Sequence, residues 1–218
     1  MALKLHGVTM STCTSLVITC LHEKEVEFEL VPVDLFSGEH KHPHFVAKNP
    51  FGQVPVLEDD DLTLFESRAI TAYIAEKYKE TGYDLIRYKD LKEAAMVKVW
   101  TQVESQQYYP AISPIIYQLY ANPLKGVAPD QEIIKTNLEK LGNILDIYEA
   151  RLSSNKYLAG EFYSLADLHH LPYTYYLMKT DVASVVNDRP HVKAWWEDIS
   201  SRVAFVKAAE GMTFGEKL

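Results

Sequence analysis

The sequence predicts a small α/β domain followed by an all-α domain. Its 218 residues leave room for one large domain or two small ones, at ~100–200 residues per domain. Up to about residue 79, short apolar runs of strand length alternate with runs of helical period. Long amphipathic stretches then follow a polar segment. We therefore predict an α/β domain over residues 1–79, a linker over 80–90 and a helical domain over 91–218.

The N-terminal elements follow from the period of the apolar residues. Alternation and turn residues indicate strands at 3–5, from 28, at 54–57 and at 62–64. Helical spacing indicates helices from 12 to about 23, near 43–48 and over 67–78. The order βαβ, helix, ββα predicts a small mixed sheet flanked by helices.

Four amphipathic runs make up the predicted helical domain, at residues 92–120, 129–152, 165–178 and 190–201. Within it, Ser164 followed by Asp167 is a variant of the capping box, with Tyr163 and Leu168 as its hydrophobic staple. Such a motif starts a helix, so we assign it to folding rather than to catalysis.

Composition and charge argue against several classes of function. Hydrophobic residues make up 47% of the chain, charged residues 24%, and the formal net charge is -8. A nucleic-acid-binding protein, or one held to an anionic membrane surface, needs a basic face, so neither partner is expected. No apolar run approaches the ~20 residues that span a bilayer, and the first residues lack the layout of a signal peptide. We expect a cytoplasmic protein.

The two cysteines, Cys13 and Cys20, are too few for a disulfide framework. Both fall in one predicted helix, where a disulfide between them is geometrically awkward, so we expect reduced thiols. Cys20 lies on the apolar face and is predicted to be core. Cys13 falls in the first turn, where a thiolate is stabilised, although a helical cysteine is often a small buried hydrophobe.

Three short stretches carry the chemical argument, and the first is the helix start at Ser11. A helix N-terminus has unpaired N–H groups and a partial positive charge, so it stabilises an anion such as a thiolate. A hydroxyl at this place can also donate a hydrogen bond to a bound sulfur. Simple capping of the helix by Ser11 or Thr12 explains the same residues and stays open as the alternative.

The other two stretches flank the predicted hairpin. In Gln53-Val54-Pro55, a cis bond before the proline would turn the Val54 backbone outward to pair with an extended peptide, and an ordinary turn is the alternative. Glu66 and Ser67 open a helix, where Glu66 suits an ammonium group and Ser67 suits a carboxylate. A γ-glutamyl terminus carries both groups. Capping is again the alternative.

In this order, the stretches resemble the cytosolic glutathione transferases, and specifically the plant phi class. The resemblance rests on Ser11 at the first βα turn, Phe-Gly-Gln-Val-Pro at 51–55 and Phe-Glu-Ser-Arg-Ala-Ile at 65–70, and an all-α domain after them. Further matching stretches lie at 21–24, 38–41, 157–160 and 164–168. The resemblance implies a thioredoxin-like N-terminal domain on a helical domain, normally as a homodimer. Family members mostly conjugate glutathione to electrophiles, and many reduce organic hydroperoxides.

The resemblance also implies roles for individual residues. Ser11 matches the catalytic serine that hydrogen-bonds the glutathione sulfur. The other glutathione-binding positions are His40 and Lys41 at the glycyl carboxylate, Gln53 and Val54 at the cysteinyl backbone with Pro55 as the cis proline, and Glu66 and Ser67 at the γ-glutamyl end. Glutathione is the cosubstrate and no metal is implied. Pro43 interrupts any helical ligand face among His40, His42 and His44, so we predict no metal site there.

Two positions depart from the usual phi-class pattern. Leu16 stands where an arginine is common, which predicts altered helix packing. Cys13 closely follows Ser11, and in related classes a first-turn cysteine replaces the serine and forms a mixed disulfide with glutathione. Those classes favour thiol transfer and dehydroascorbate reduction. We therefore expect Cys13 to add these activities to conjugation.

The resemblance places the site for the hydrophobic electrophile in a cleft between the domains. Our candidates for its wall are Met10, Thr12, Phe36, Ile115 and Leu119. An apolar cleft binds flat hydrophobic molecules with little discrimination. The alternative function is a ligandin-type carrier of hydrophobic small molecules, with incidental catalysis.

Overall fold

The computed structural model describes residues 3–213, and its contacts divide the chain into two units. Unit 1 comprises residues 3–86 together with Val203–Thr213, and unit 2 comprises Arg87–Arg202. The sequence-based division assigned all of residues 91–218 to the helical domain. Residues 1–2 and 214–218 lie outside the described residues. The structure differs over Val203–Thr213 because the last helix packs against the first helix of unit 1.

Unit 1 contains a mixed sheet with helices, in the predicted order βαβ, helix, ββα. Its strands are β1 (Leu3–Gly7), β2 (Phe28–Pro32), β3 (Val56–Asp59) and β4 (Leu62–Phe65). Its helices are α1 (Thr12–Glu23), α2 (Pro43–Val46) after a 3-10 turn at Glu39–Lys41, α3 (Ser67–Lys77) and, from the end of the chain, α12 (Val203–Ala209). The strand predicted from residue 54 begins only at Val56, where pairing with β1 starts.

The strands of unit 1 are hydrogen-bonded in the order β2-β1-β3-β4. β1 runs parallel to β2 and antiparallel to β3, and β3 runs antiparallel to β4. In this register Gly7 lies opposite Pro32, His6 opposite Val56, and Val56 opposite Phe65. The ends of β1, β2 and β4 and the beginning of β3 therefore lie at one edge of the sheet.

The core of unit 1 follows the predicted apolar stripe of α1. Leu16, Val17, Cys20 and Leu21 are all buried, and α1 packs against α3. Because Leu16 is buried, it places an apolar side chain where an arginine would have to bury a charge. A second cluster, made of Val33, Phe45 and Val56 with Leu35, Val54 and Phe65 around it, holds α2 to the sheet.

Unit 2 is helical throughout its regular structure. Its helices are α4 (Leu91–Val103), α5 (Tyr109–Ile116), α6 (Asn122–Leu124), α7 (Gln131–Leu152), α8 (Leu165–Leu168), α9 (Leu171–Leu177), α10 (Ser184–Asn187) and α11 (Pro190–Ser200). The capping box of Ser164 and Asp167 is confirmed at the start of α8. Within residues 3–213, none of the helices combines the length and the apolar character needed to cross a membrane.

The predicted helix over 92–120 is interrupted by π turns at Glu104–Tyr108 and Tyr117–Ala121. The first turn ends just before Pro110, which has no N–H to donate and whose ring would clash with the carbonyl four residues earlier. A π turn widens the helix at such a point and relieves the clash. The amphipathic run is therefore helical as predicted, and Pro110 and Pro114 in the sequence signal where its hydrogen bonding changes.

Candidate functional site

The sheet register brings three of the predicted stretches to one edge. The loop with Ser11 follows β1 after Gly7, Val54 and Pro55 precede β3, and Glu66 follows β4. Because Val56 lies opposite both His6 and Phe65, the three stretches leave the sheet side by side. Residues that are distant in sequence, such as Ser11 and Glu66, thus meet at a single edge.

Ser11 is the N-cap of α1, and its backbone is extended. Its Oγ accepts a hydrogen bond from the Thr14 N–H at 3.4 Å, so the capping interpretation is confirmed. A hydroxyl has one donor and two acceptor lone pairs. The cap uses only an acceptor lone pair, so the same half-buried side chain can still donate its O–H to a bound sulfur. Capping and the chemical role are compatible.

The loop before β3 contains the cis peptide bond between Val54 and Pro55 that we considered from the sequence. The side chain of Asn49 holds this loop from inside, because its Nδ2 donates to the Gln53 carbonyl at 2.8 Å and its Oδ1 accepts from the Phe51 N–H at 3.0 Å. Asn49 is buried, whereas Gln53 is exposed. We did not select Asn49 from the sequence, although Asn-Pro is a turn signal.

The 3-10 turn with His40 and Lys41 is bound to the same loop. Lys41 Nζ donates to the carbonyl oxygens of Phe51 at 3.0 Å and of Gly52 at 2.7 Å, which uses two of its three donors. Gly52 has a φ of +55°, and an added Cβ would lie 2.7 Å from the His40 carbonyl oxygen, so glycine is required. Burial, and then the charge of Lys41, lower the pKa of His40, and its buried Nδ1 has no hydrogen-bond partner.

Glu66 and Ser67 stand at the start of α3 in a different way. Glu66 is the N-cap, but its φ is 69° and its side chain makes no capping bond. A non-glycine residue at positive φ is strained, and such strain persists where the surroundings or the function require it. Glu66 is exposed and Ser67 is buried. The capping alternative therefore does not account for Glu66.

The charges at this edge favour a ligand with two kinds of charged group. The N-terminal ends of α1 and α3, each a helix of more than two turns, favour an anion. The ammonium of Lys41 also favours an anion, whereas the exposed carboxylate of Glu66 favours a cation. The edge can thus hold carboxylates, an ammonium group and a thiolate.

The two cysteines occupy opposite environments within α1. Cys13, in the first turn, is half-buried, and Cys20 is completely buried; neither is in a disulfide. Burial raises the pKa of Cys20 far above its usual value, although the charge of Lys24 acts in the other direction, and its Sγ–H donates to the Thr71 carbonyl at 3.6 Å. The expectation that Cys20 is core is confirmed.

The proposed wall residues of the hydrophobic site differ in exposure. Met10 and Thr12 in unit 1 and Leu119 in unit 2 are half-buried, and Phe36 is 73% exposed. Ile115 is completely buried, so it offers no surface to a ligand in this structure. Among residues 3–213, no three His, Cys, Asp or Glu side chains are grouped so as to hold a metal ion.

Comparison with known proteins matches both parts of the chain to one family. The model of the glutathione S-transferase N-terminal domain matches residues 1–76, and the model of the C-terminal domain matches residues 108–202. Glutathione S-transferase F13 of Arabidopsis thaliana is 61% identical over 213 residues, which are 98% of this chain and 97% of that protein.

Two solved structures show the same similarity in three dimensions. Glutathione transferase F7 from Populus trichocarpa is 75% identical, has a TM-score of 0.97, and the match covers 98% of this chain and 100% of that one. Glutathione S-transferase I from maize, in complex with an atrazine glutathione conjugate, is 47% identical with a TM-score of 0.90 and coverage of 97% and 98%.

Proposed function

The chain belongs to the glutathione S-transferase family, in its plant phi class, and from this premise we propose that it conjugates glutathione to hydrophobic electrophiles. Family membership makes it a glutathione transferase. The observation that carries the proposal is the common edge of the sheet at which Ser11, Val54 and Glu66 meet. We also propose that it acts as a cytoplasmic homodimer and that it reduces organic hydroperoxides with two molecules of glutathione.

Each part of glutathione has a counterpart at this edge. The Glu66 carboxylate would bind the γ-glutamyl ammonium group, and Ser67 with the N–H groups of α3 would bind the neighbouring carboxylate. The Val54 backbone and Gln53 would hold the cysteinyl part through peptide hydrogen bonds. His40 and Lys41 would bind the glycyl carboxylate. These contacts leave the thiol beside Ser11.

The chemical step depends on the pKa of the bound thiol. A thiol with a pKa of ~8.5 is only a few per cent ionised at neutral pH, and lowering the pKa by ~2 units needs ~2.7 kcal/mol of thiolate stabilisation. A charge-assisted hydrogen bond from Ser11 would supply ~1.5–3 kcal/mol and the start of α1 another ~0.3–1 kcal/mol. The thiol proton leaves to solvent, the thiolate attacks the electrophilic carbon, and the leaving group departs with its electron pair.

Cys13 would support a second reaction. Its half-buried place in the first turn of α1 favours a thiolate, and the neighbouring sulfur of glutathione would form a mixed disulfide with it. The two sulfurs lose two electrons when they form the disulfide. Dehydroascorbate accepts these two electrons, together with a proton, and becomes ascorbate. A second glutathione then releases Cys13 and leaves as oxidised glutathione.

A panel of assays tests the main proposal. We expect the protein to be retained on immobilised glutathione and to turn over an aryl halide, an organic hydroperoxide and a glutathionylated disulfide. Retention with negligible turnover on all three substrates would contradict the proposal and favour the ligandin-type carrier instead.

The role of Cys13 is tested by a pair of variants. Cys13→Ser should abolish the reduction of dehydroascorbate and of disulfides and leave conjugation nearly intact. Ser11→Ala should instead lower conjugation and leave most of the two reductions intact. Cys20→Ser, which removes the buried cysteine instead, is the matched control for an effect of losing any oxidisable thiol. If Cys13→Ser loses nothing, and mass spectrometry finds no glutathione on Cys13 after treatment with oxidised glutathione, Cys13 has no part in catalysis.

A further inference from the structure

The last described segment of the chain returns to unit 1, next to the loop that carries Ser11. Helix α12 packs against α1, with Phe205 and Ala208 buried. The chain then turns, and the Met212 N–H donates to the Ala209 carbonyl at 3.0 Å. The side chain of Met212 is completely buried. The segment after α12 is therefore a packed part of unit 1.

Gly211, within this turn, lies directly against the side chain of Thr9. A Cβ atom added at Gly211 would lie 2.6 Å from Thr9 Cβ, 2.8 Å from Oγ1 and 2.9 Å from Cγ2. All three distances are shorter than Cβ contacts in real structures. Any side chain at position 211 would therefore displace Thr9 or the turn that carries Gly211.

The backbone of Thr9 is held from another direction. Its carbonyl oxygen accepts a hydrogen bond from Ser15 Oγ at 2.6 Å, and Ser15 is completely buried in α1. The Ser11 N–H donates to the Val8 carbonyl at 3.0 Å, and the Ser15 N–H donates to the Ser11 carbonyl at 2.9 Å. Thr9 is thus fixed by Ser15 through its main chain and by Gly211 through its side chain, only two residues before Ser11.

We propose that Gly211 is a positioning residue for the transferase reaction. Because Gly211 has no side chain, the segment after α12 can pack directly against Thr9. This contact keeps Ser11 Oγ in the position from which it donates to the glutathione sulfur. The inference rests on the proposed function, since it assigns that role to Ser11. The other proposed glutathione contacts come from residues 40–41, 53–54 and 66–67, so Gly211 acts on the thiol and not on the rest of the ligand.

The test is Gly211→Ala, with Gly142→Ala as the matched control. An added Cβ at Gly142 would meet only Arg189 Nη2, at 3.4 Å. We expect Gly211→Ala to lower kcat for an aryl halide at neutral pH by about 3- to 30-fold, because displacement of a reacting group by ~1 Å can cost ~100-fold. The pH at which the bound thiol ionises, followed by thiolate absorbance, should rise. Affinity for S-methylglutathione, which has no ionisable thiol, should be unchanged.

Two further variants separate positioning from general destabilisation. In a Thr9→Gly background, which removes the atoms that the new Cβ would strike, the added Gly211→Ala should change kcat by less than about twofold, because the two positions are coupled through this contact. Ser15→Ala, which releases the Thr9 carbonyl, should raise the pH of thiol ionisation as Gly211→Ala does.

Several outcomes would overturn the inference. It fails if Gly211→Ala behaves like Gly142→Ala, or if its effect is equally large in the Thr9→Gly background. If Gly211→Ala does not fold, an unchanged thiol ionisation in Ser15→Ala overturns it. An unsubstituted protein that does not bind glutathione overturns the proposed function as well, whereas binding without these effects overturns the role of Gly211 alone.

Discussion

The two helices that begin at the candidate site, α1 and α3, start in different ways. α1 has an N-cap with extended backbone, Ser11, whose side chain accepts from the Thr14 N–H. α3 has Glu66 at the same place, with a φ of 69° and no capping bond from its side chain. Backbone strain of this kind costs about 1–3 kcal/mol.

The difference shows how stability and ligand binding are related at each helix. At α1 the Ser11 hydroxyl caps the helix and, under the proposed function, would also donate to the glutathione sulfur, so one residue would serve both purposes. At α3 the Glu66 carbonyl accepts from the Ile70 N–H at 2.9 Å, but its side chain makes no capping bond and is an exposed carboxylate at the edge of the sheet. Under the proposed function, helix stability and glutathione binding coincide at Ser11 and oppose each other at Glu66.

The largest expected effect is that of Ser11→Ala. It should lower conjugation at neutral pH by ~10–100-fold, because ~1.5–3 kcal/mol of hydrogen bonding to the thiolate is lost, and lower the free energy of unfolding by about 1 kcal/mol, because the cap is lost. Steady-state kinetics and urea unfolding measure the two changes. The control is Asp130→Ala at the cap of α7, which should lose only stability. An unchanged ionisation pH of the bound thiol would refute the role of Ser11.

Substitutions at Glu66 should separate binding from stability. Glu66→Ala and Glu66→Gly should each weaken glutathione binding about tenfold, at the lower end of the ~1.5–3 kcal/mol for a charged hydrogen bond, because the side chain is exposed. Only Glu66→Gly should stabilise the fold, by about 1 kcal/mol, through relief of the positive φ. Calorimetry of glutathione binding and urea unfolding provide the measurements.

Glu25, which also has a positive φ, of 53°, is the matched control for Glu66. Glu25→Gly should relieve strain in the same way and leave glutathione affinity unchanged. Glutathione affinity of Glu66→Ala equal to that of the unsubstituted protein would show that the carboxylate does not bind the γ-glutamyl end.

The smallest expected effect is a loss of stability at the start of a third helix, α11. There a carboxylate of the protein itself, that of Glu149, takes the place of a bound anion. The N-cap of α11, Arg189, makes no side-chain capping bond, and the Glu149 carboxylate instead accepts from the N–H groups of His191 at 3.0 Å and Val192 at 2.9 Å. Glu149→Gln should lower the free energy of unfolding at neutral pH by about 1 kcal/mol and leave transferase activity unchanged. Urea unfolding of both proteins across pH measures this.

The pH dependence of this effect has a definite sign. Burial alone would raise the pKa of Glu149, but the bonds from Val192 and His191 outweigh it and hold the pKa below its usual value. A depressed pKa contributes stability above the unfolded pKa of ~4.3, and this stability is lost as the pH falls through the folded value. The two proteins should therefore converge in stability as the pH falls from ~4.3 through the lower folded pKa, and a difference that does not shrink over this acidic range would contradict the assignment.

Local features of these regions were predictable from the sequence. The bounds of α1, its buried stripe and the cap at Ser11 depend on residues within one or two turns of each other, as does the capping box of Ser164 and Asp167. The phi-class resemblance alone implies a ligand-binding role for Glu66. The sequence did not reveal the strain at Glu66, because the order of the residues does not specify the backbone angle at the end of β4.

The sequence by itself determined the local elements, their caps, the family and the residue types that suit glutathione. Only the tertiary structure decided that Ser11, Val54 and Glu66 share one sheet edge. It also decided that Asn49 holds the loop before β3 and that Gly211 packs on Thr9. The physical reason is range. Helix periods and caps are set by neighbours along the chain, whereas strand register and the packing of α12 depend on contacts between distant segments, which no local pattern specifies.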